Sequence, residues 1–346
     1  MHLSKSELGA LAVFCSYFSI IGGLFLLIFR NLPRSASWGS KAYVFVALTV
    51  ASFAHTWFYM FSFMAWSFTN YEQSKSTPST GILIERMSKW LLDTSLFEQA
   101  WASVCFGKVN WWWSQQLCLY TVGAWTIFLA TTGRRHQVKI VWAYMVLGQL
   151  VAISVASNLF YLALVLAGPP RPSTRPSNQW APLSLWVPVL VSLATVARSP
   201  FTDEHTFLPN LLLMHLLIVV PLLVSDSLFN SPQKSLLSMR TSTLNILVFV
   251  VAFALHARAT MNVLGDQELS VSEFAASAWR ILHSHPAQSS IGWDVIWTSI
   301  SFVVWGILEA RTAVYVLLAT PLVSVGVLAP HALRPRDEEF QEKKGV

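Results

Sequence analysis

The stretch Gly292–Glu309, GWDVIWTSISFVVWGILE, is an almost uncharged run with one carboxyl group near each end. At about 100° of rotation per residue, five of its polar and aromatic side chains fall within about 60° of one line along a helix. They are Asp294, Trp297, Ser301, Trp305 and Glu309. Ionisable groups inside a membrane span cost roughly 2.5–3.5 kcal/mol at the helix centre and usually face an interior cavity. We therefore expect this face to line an internal site.

The whole chain is apolar. Hydrophobic residues make up 54% of the 346 residues, charged residues make up 12%, and the mean hydropathy is +0.52. Soluble domains average about 25% charged residues, and a spanning helix needs about 20 apolar residues. We predict an all-α fold, a polytopic transmembrane helical bundle around an internal apolar cavity, forming one integral membrane domain over 1–346.

The predicted spans number eight or nine, because the fifth is short and contains Pro188. They are 8–29, 42–68, 111–132, 140–167, 183–198, 207–229, 241–260, 291–310 and 312–330.

Two segments between the spans have the pattern of helices that lie along the membrane interface. They fall within 82–106, where tryptophans recur at helical spacing, and within 270–283. Amphipathic helices with tryptophan on the apolar side commonly lie in the interface plane. We expect the helix within 82–106 to cover one mouth of the cavity.

Charge in the loops predicts orientation. Basic residues flank the predicted loops at 30–41 and 134–139, and short basic loops stay cytoplasmic. With nine spans the N-terminus is then outside and the tail 331–346 is cytosolic. Lys343 and Lys344 resemble a dilysine retrieval signal of the endoplasmic reticulum, which is an address and not an anchor. We expect a multi-pass protein of that membrane.

Several chemistries lack sequence support. There is no aspartate-rich pair for magnesium diphosphate, no Gly-rich phosphate loop and no histidine box. Single histidines in separate spans more often bond to a neighbouring helix than hold a haem. We predict no metal, no cofactor, no nucleic-acid partner and no obligatory protein partner, and activity that survives EDTA.

Other predicted spans also have polar stripes, and together these imply a shared pocket. The stripe residues are His55, Tyr59, Ser62 and Trp66; Ser154, Asn158 and Tyr161; His215 and Asp226; and Asn245 and His256.

Each acidic residue has a structural alternative. Asp294 lies one turn inside its span, where a carboxylate suits the helix dipole. Glu309 is close to the predicted membrane interface, and Asp226 is close to the end of its span. Glu98 matches a capping box with Ser95 as the N-cap residue. The tryptophans resemble an interfacial belt.

A closed apolar pocket with acids and aromatic rings suits acid-initiated cyclisation of a polyprenyl chain. A carboxylic acid in an apolar site keeps its proton because burial disfavours the charged form. The acid protonates a terminal alkene or epoxide, aromatic faces stabilise the cation, and the closed site excludes water. A second polar group takes the last proton.

Six stretches also resemble the fungal transmembrane terpene cyclases of meroterpenoid biosynthesis, of the ascochlorin and macrophorin type. They are HTWFYMFSFMAWSF, LLDTSLFEQAW, WWWSQQLCLYTVGAWTIFLATTGRR, WAYMVLGQLVAISVASNLFYLAL, FLPNLLLMHLLIVVPLL and GWDVIWTSISFVVW, and they cover most of 55–305. The resemblance implies a metal-independent, multi-spanning enzyme acting on a farnesylated aromatic or quinone-like substrate.

The predicted site follows from the helical faces. Asp294 is the predicted proton donor or relay, with Glu309 or Glu98 as second acid. The predicted substrate- or cation-stabilising residues are Trp297, Trp305, His55, Tyr59, Trp66, Asn158, Tyr161, His215 and Asp226. The expected partners are a lipophilic prenylated small molecule and the lipid bilayer. The alternative function is a transporter or receptor for a lipophilic small molecule.

Overall fold

The computed structural model describes residues 3–34, 38–75, 81–169, 180–224, 237–267, 270–310 and 314–333. Nearly all of these residues are helical. The strands in these ranges are Trp180–Ala181 and Met239–Arg240, which form one short antiparallel pair. The predicted all-α class is confirmed.

The helices follow one another along the chain with short connections. The α-helices are Lys5–Asn31, Ser40–Gln73, Leu83–Asp93, Leu96–Cys105, Lys108–Tyr120, Thr126–Phe128, Val141–Leu150, Ile153–Ala167, Leu183–Arg198, Phe207–Leu217, Val220–Leu223, Thr241–Gln267, Val271–Leu282, Pro286–Trp305, Val314–Val323 and Val325–Ala332. π-helical turns at Thr121–Trp125, Leu129–Gly133 and Gly306–Ala310 and a 3-10 turn at Ser199–Phe201 extend some of them.

Five helices in the described part of the chain are long and apolar enough to cross a membrane. They are Lys5–Asn31, Ser40–Gln73, Leu183–Phe201, Thr241–Gly265 and Pro286–Leu308. Their outward faces expose large apolar side chains, for example Val13 at 63% and Val50 at 62%. Such faces suit lipid, because in a bilayer the solvent is itself apolar. The prediction of a helical membrane protein is therefore confirmed.

The predicted span 140–167 is two helices that form a hairpin. Val141–Leu150 has 10 residues, about 15 Å of helix, which is half of a hydrocarbon core of about 30 Å. The chain turns at Val151 and Ala152, and Ile153–Ala167 runs back. The ends of the segment meet, because Nδ1 of His136 lies 3.0 Å from the carbonyl oxygen of Gly168. A single crossing was predicted, and that prediction is wrong.

Other predicted segments are also divided. The segment 82–106 is two helices that separate at Thr94 and Ser95. The segment 312–330 breaks at Ser324, whose φ of 81° lies in the left-handed region. By contrast, the predicted span 183–198 coincides with a continuous helix that contains Pro188.

The first interfacial helix, Leu83–Asp93, is fastened to Ser40–Gln73 by polar contacts. Arg86 Nε donates to Glu72 at 2.6 Å, and Trp90 Nε1 donates to Ser67 Oγ at 3.1 Å. The Tyr71 hydroxyl donates to the carboxylate of Asp93. These contacts hold the next helix, Leu96–Cys105, against the bundle.

Candidate functional site

A cavity of about 490 Å³ lies inside the bundle, and we call it the central cavity. It lies between Lys5–Asn31, Ser40–Gln73, Leu96–Cys105, Lys108–Tyr120, the hairpin turn, Phe207–Leu217 and Pro286–Trp305. Its wall is mainly apolar and aromatic, and its size is that of a small-molecule site. Two of the predicted site residues line it, Asp294 and His215.

Asp294 is buried, and both of its carboxylate oxygens accept hydrogen bonds from the hairpin turn. The backbone N–H of Ile153 donates to Oδ2 at 2.9 Å, and that of Ser154 donates to Oδ1 at 2.8 Å. The N-cap residue of Ile153–Ala167 is Ala152, which has no side-chain acceptor. Asp294 therefore caps this helix from a different helix, and satisfies amides that would otherwise be unpaired inside the membrane.

The surroundings of Asp294 act on its charge in opposite directions. Two N–H donors and the positive end of a helix dipole stabilise a carboxylate. The apolar wall of the central cavity favours the uncharged acid. A carboxyl group between these influences can give up a proton and be held afterwards as an anion. This position is about 15 Å inside the end where the hairpin enters.

Aromatic side chains form the wall opposite the hairpin turn. Trp101 stacks on His215 with ring centroids 5.7 Å apart, and Phe97 packs on Tyr17 at 4.9 Å. The Tyr17 hydroxyl donates to the carbonyl oxygen of Leu150 at 2.6 Å, which satisfies an acceptor at the end of Val141–Leu150. The sequence has no local signal for Tyr17 as a site residue, because it lies in an ordinary apolar span.

Trp305 and Tyr161 belong to a different part of the bundle, which we call the aromatic core. Their rings stack with centroids 4.6 Å apart and planes at 10°, and Phe45 and Trp125 pack beside Tyr161. None of these four rings lines the central cavity. The Asn158 amide, one turn before Tyr161 on the same helix, is fully buried without a hydrogen-bond partner among the described residues.

The remaining aromatic and histidine predictions lie towards the outside of the bundle. Trp297 Nε1 donates to Nδ1 of His55 at 3.1 Å, and Tyr59 lies beside His55 with centroids 5.6 Å apart. Trp66 is 37% exposed and packs on His285. The face predicted from 294–309 is thus divided between the central cavity, the aromatic core and this outer group.

The other predicted acids do not line the central cavity in the described structure. Glu98 is partly buried on Leu96–Cys105, but its neighbours Phe97 and Trp101 face the cavity and it does not. Ser95 is the N-cap residue there but makes no side-chain capping bond, so the capping-box interpretation is wrong. Asp226 lies outside the described residues. For Glu309 only the backbone is described, in a π-helical turn.

Metal-binding groups do not converge in the described ranges, where no three His, Cys, Asp or Glu side chains come together. The chemistry available in the central cavity is that of one carboxyl group, one imidazole and several aromatic faces.

One family model matches the chain, over residues 244–337, and its description is "Protein of unknown function DUF2834". The match covers less than a third of the chain, including Asp294 and Trp305. No curated protein and no solved structure matches.

Proposed function

We propose that this protein is a membrane-bound terpene cyclase that converts a farnesylated aromatic or quinone-like substrate to a cyclised isomer. The supporting observation is the central cavity itself, an apolar space deep in the bundle with one capped carboxyl group in an aromatic wall. Its shape and lining fit a flexible prenyl chain, and the sequence resemblance points to the same chemistry.

In the proposed reaction Asp294 is the acid. Its carboxyl proton adds to the terminal alkene carbon, or to the oxygen of a terminal epoxide, and leaves a cation on the prenyl chain. The N–H groups of Ile153 and Ser154 hold the resulting carboxylate, which is transition-state stabilisation by fixed dipoles. Internal alkenes then attack the cation to close the rings, and the total atom count of the substrate does not change.

The aromatic wall stabilises the migrating charge. A desolvated cation over an aromatic face gains about 2 kcal/mol or more, and Trp101, Phe97 and Tyr17 line the cavity. We assign the last proton to His215. Its Nδ1 faces the carbonyl oxygen of Leu211 at 2.7 Å and must carry hydrogen, which leaves the Nε2 lone pair as a base. Glu98 and Glu309 keep only their sequence-based place as alternative acids.

The test is an assay of membranes that contain the protein, incubated with a farnesylated phenol or its terminal epoxide and analysed for a cyclised isomer. Ala100→Phe fills the central cavity and should abolish the product. Ala54→Phe adds the same bulk on an exposed face of Ser40–Gln73 and should leave turnover unchanged. Product formation should also survive EDTA. Equal turnover in the two variants would place the reaction outside this cavity.

One structural observation favours the alternative, a transporter for a lipophilic molecule. Transporters often place half-helices at the bilayer midplane, and the chain breaks at Val151–Ala152 and at Ser324. However, the free amides of the first break already bind Asp294. Uptake of the same farnesylated phenol into proteoliposomes, with no cyclised product, would support transport over cyclisation.

We also propose the endoplasmic reticulum as the location, with a cytosolic tail. The proposal rests on Lys343 and Lys344, which lie outside the described residues. A fluorescent fusion should leave this membrane on Lys343→Ser plus Lys344→Ser, and a retained fusion would contradict the signal.

A further inference from the structure

A second cavity, of about 500 Å³, opens at the end of the bundle where the hairpin enters and leaves, and we call it the basic pocket. Three segments form it: the end of Lys5–Asn31 with the residues that follow, the turn before Val141, and the end of Ile153–Ala167. Its ionisable wall residues are Arg30, Arg34, Arg135, His136 and Lys139. No Asp or Glu side chain belongs to the wall given by the described residues.

The turn between 134 and 140 is built to hold this shape. Gln137 and Ile140 both have left-handed backbone conformations, with φ of 55° and 53°, which cost non-glycine residues roughly 1–3 kcal/mol each. The turn is fixed by the bond from Val138 N–H to the carbonyl oxygen of Gly133 at 2.8 Å and by the contact of His136 with Gly168. Arg135 and Lys139, on either side of the strained turn, therefore line the same pocket as Arg30.

A neighbouring arginine shows what a structural role looks like here. Arg134 donates to the backbone carbonyl oxygens of Ala130, Pro221 and Val224 at 2.9–3.0 Å, and it does not line the basic pocket. The basic residues of the pocket come instead from three separate segments and face one space. Like charges in a concave site repel one another, and a bound anion reverses that penalty.

We propose that the basic pocket binds a phosphate group, presented by the headgroup of an anionic membrane lipid or by a soluble phosphate. Arginine pairs with phosphate oxygens in a bidentate geometry and lysine binds them as a point charge. The pocket lies where spanning helices end, which is the depth of lipid headgroups, and basic pockets between helices bind such groups. This inference does not depend on the proposed cyclase activity.

The test uses the purified full chain in nanodiscs. One arm compares discs of phosphatidylcholine with discs that also contain phosphatidic acid, and native mass spectrometry counts the acidic lipid retained by the protein. The other arm titrates inorganic phosphate and pyrophosphate into phosphatidylcholine discs. The altered protein combines Arg30→Gln, Arg135→Gln and Lys139→Gln. Each basic residue near an anionic surface contributes about fivefold in affinity, so we expect a loss of about 100-fold.

The matched control is Arg240→Gln. Arg240 precedes Thr241–Gln267 at the same end of the bundle but lies outside the basic pocket, so this change should leave binding unaltered. Arg30→Lys with Arg135→Lys keeps the charges and should retain most of the binding, which separates loss of charge from loss of fold. Lipid retention alone assigns the phosphate to a headgroup, and binding of pyrophosphate alone assigns it to a soluble ligand. Failure of both arms, or equal losses in the triple variant and in Arg240→Gln, overturns the proposal.

Discussion

At the residue scale, Asp294 has two functions that one substitution changes together, because it caps Ile153–Ala167 and faces the central cavity. Asparagine offers one acceptor oxygen where two amides now bond. Asp294→Asn should lower the free energy of unfolding by about 1 kcal/mol. It should also lower turnover by about 10²- to 10⁴-fold if the carboxyl group is the general acid. Thermal unfolding in detergent and turnover per folded protein measure the two effects.

The control for this change is a peripheral cap. Ser270 caps Val271–Leu282, with its Oγ accepting from the N–H of Glu273 at 3.3 Å. Ser270→Ala should cost a similar amount of stability with no change in turnover. If Asp294→Asn also keeps normal turnover per folded protein, Asp294 is a structural cap and the proton comes from another group.

Two tryptophans separate the central cavity from the aromatic core. Trp101→Ala removes a cavity face and should lower turnover about 30-fold, the equivalent of a desolvated cation–π contact, whereas Trp101→Phe should be milder. Trp305→Ala should instead cost about 3–5 kcal/mol of stability, because it empties a packed site beside Tyr161. Turnover of the folded Trp305→Ala protein should fall less than that of Trp101→Ala. The reverse order would restore Trp305 to the cation's path.

At the scale of elements, close helix contacts depend on glycine. A Cβ atom on Gly326 would lie 2.9 Å from the carbonyl oxygen of Gln116 and from the backbone N of Tyr120, and backbone atoms cannot yield as a side chain can. Gly326→Ala should therefore destabilise the fold by roughly 1–3 kcal/mol. Gly9→Ala, in open space on Lys5–Asn31, is the control and should be neutral or slightly stabilising. Equal melting temperatures for the two variants would contradict this packing.

The attachment of Leu83–Asp93 should weaken in acid. The hydrogen bond from Tyr71 holds the pKa of Asp93 below its usual value of 3.8, so the contact is stabilising above that pH and is lost as the pH falls below it. Hydrogen exchange of this helix should accelerate on acidification below about pH 3.8. In Asp93→Asn the exchange should be faster at neutral pH and less sensitive to acid. An identical acid response in both proteins would show that another group controls the attachment.

At the scale of the whole molecule, the hairpin changes the topology. Because it enters and leaves at one end, it adds no crossing, and the orientation derived from nine spans loses its basis. In a background without the native cysteines, Gln137→Cys and Pro169→Cys should react with a membrane-impermeant maleimide from the same side. Glu204→Cys should react from the other side, since it precedes Phe207, which packs on Phe106 at the opposite end. Labelling of positions 137 and 169 from opposite sides would restore a single crossing.

The sequence by itself determined the helical membrane class, because long apolar runs with few charges have no other stable structure in lipid. It also located the span 183–198 and the interfacial helix within 270–283 closely, since their boundaries coincide with local changes in polarity. Asp294 and His215 were found among the cavity residues because an ionisable group in an apolar run needs an interior partner.

Only the tertiary structure decided where helices break and which rings share a space. Val151 and Ala152 are ordinary apolar residues, and the turn is stable there because Asp294, 141 residues from Ile153, supplies its cap. Likewise Asp294, Trp297 and Trp305 follow one helical face, but they meet the hairpin turn, His55 and Tyr161 respectively. Helical periodicity specifies the direction of a side chain, whereas the neighbour in that direction is set by contacts between segments that are distant in sequence.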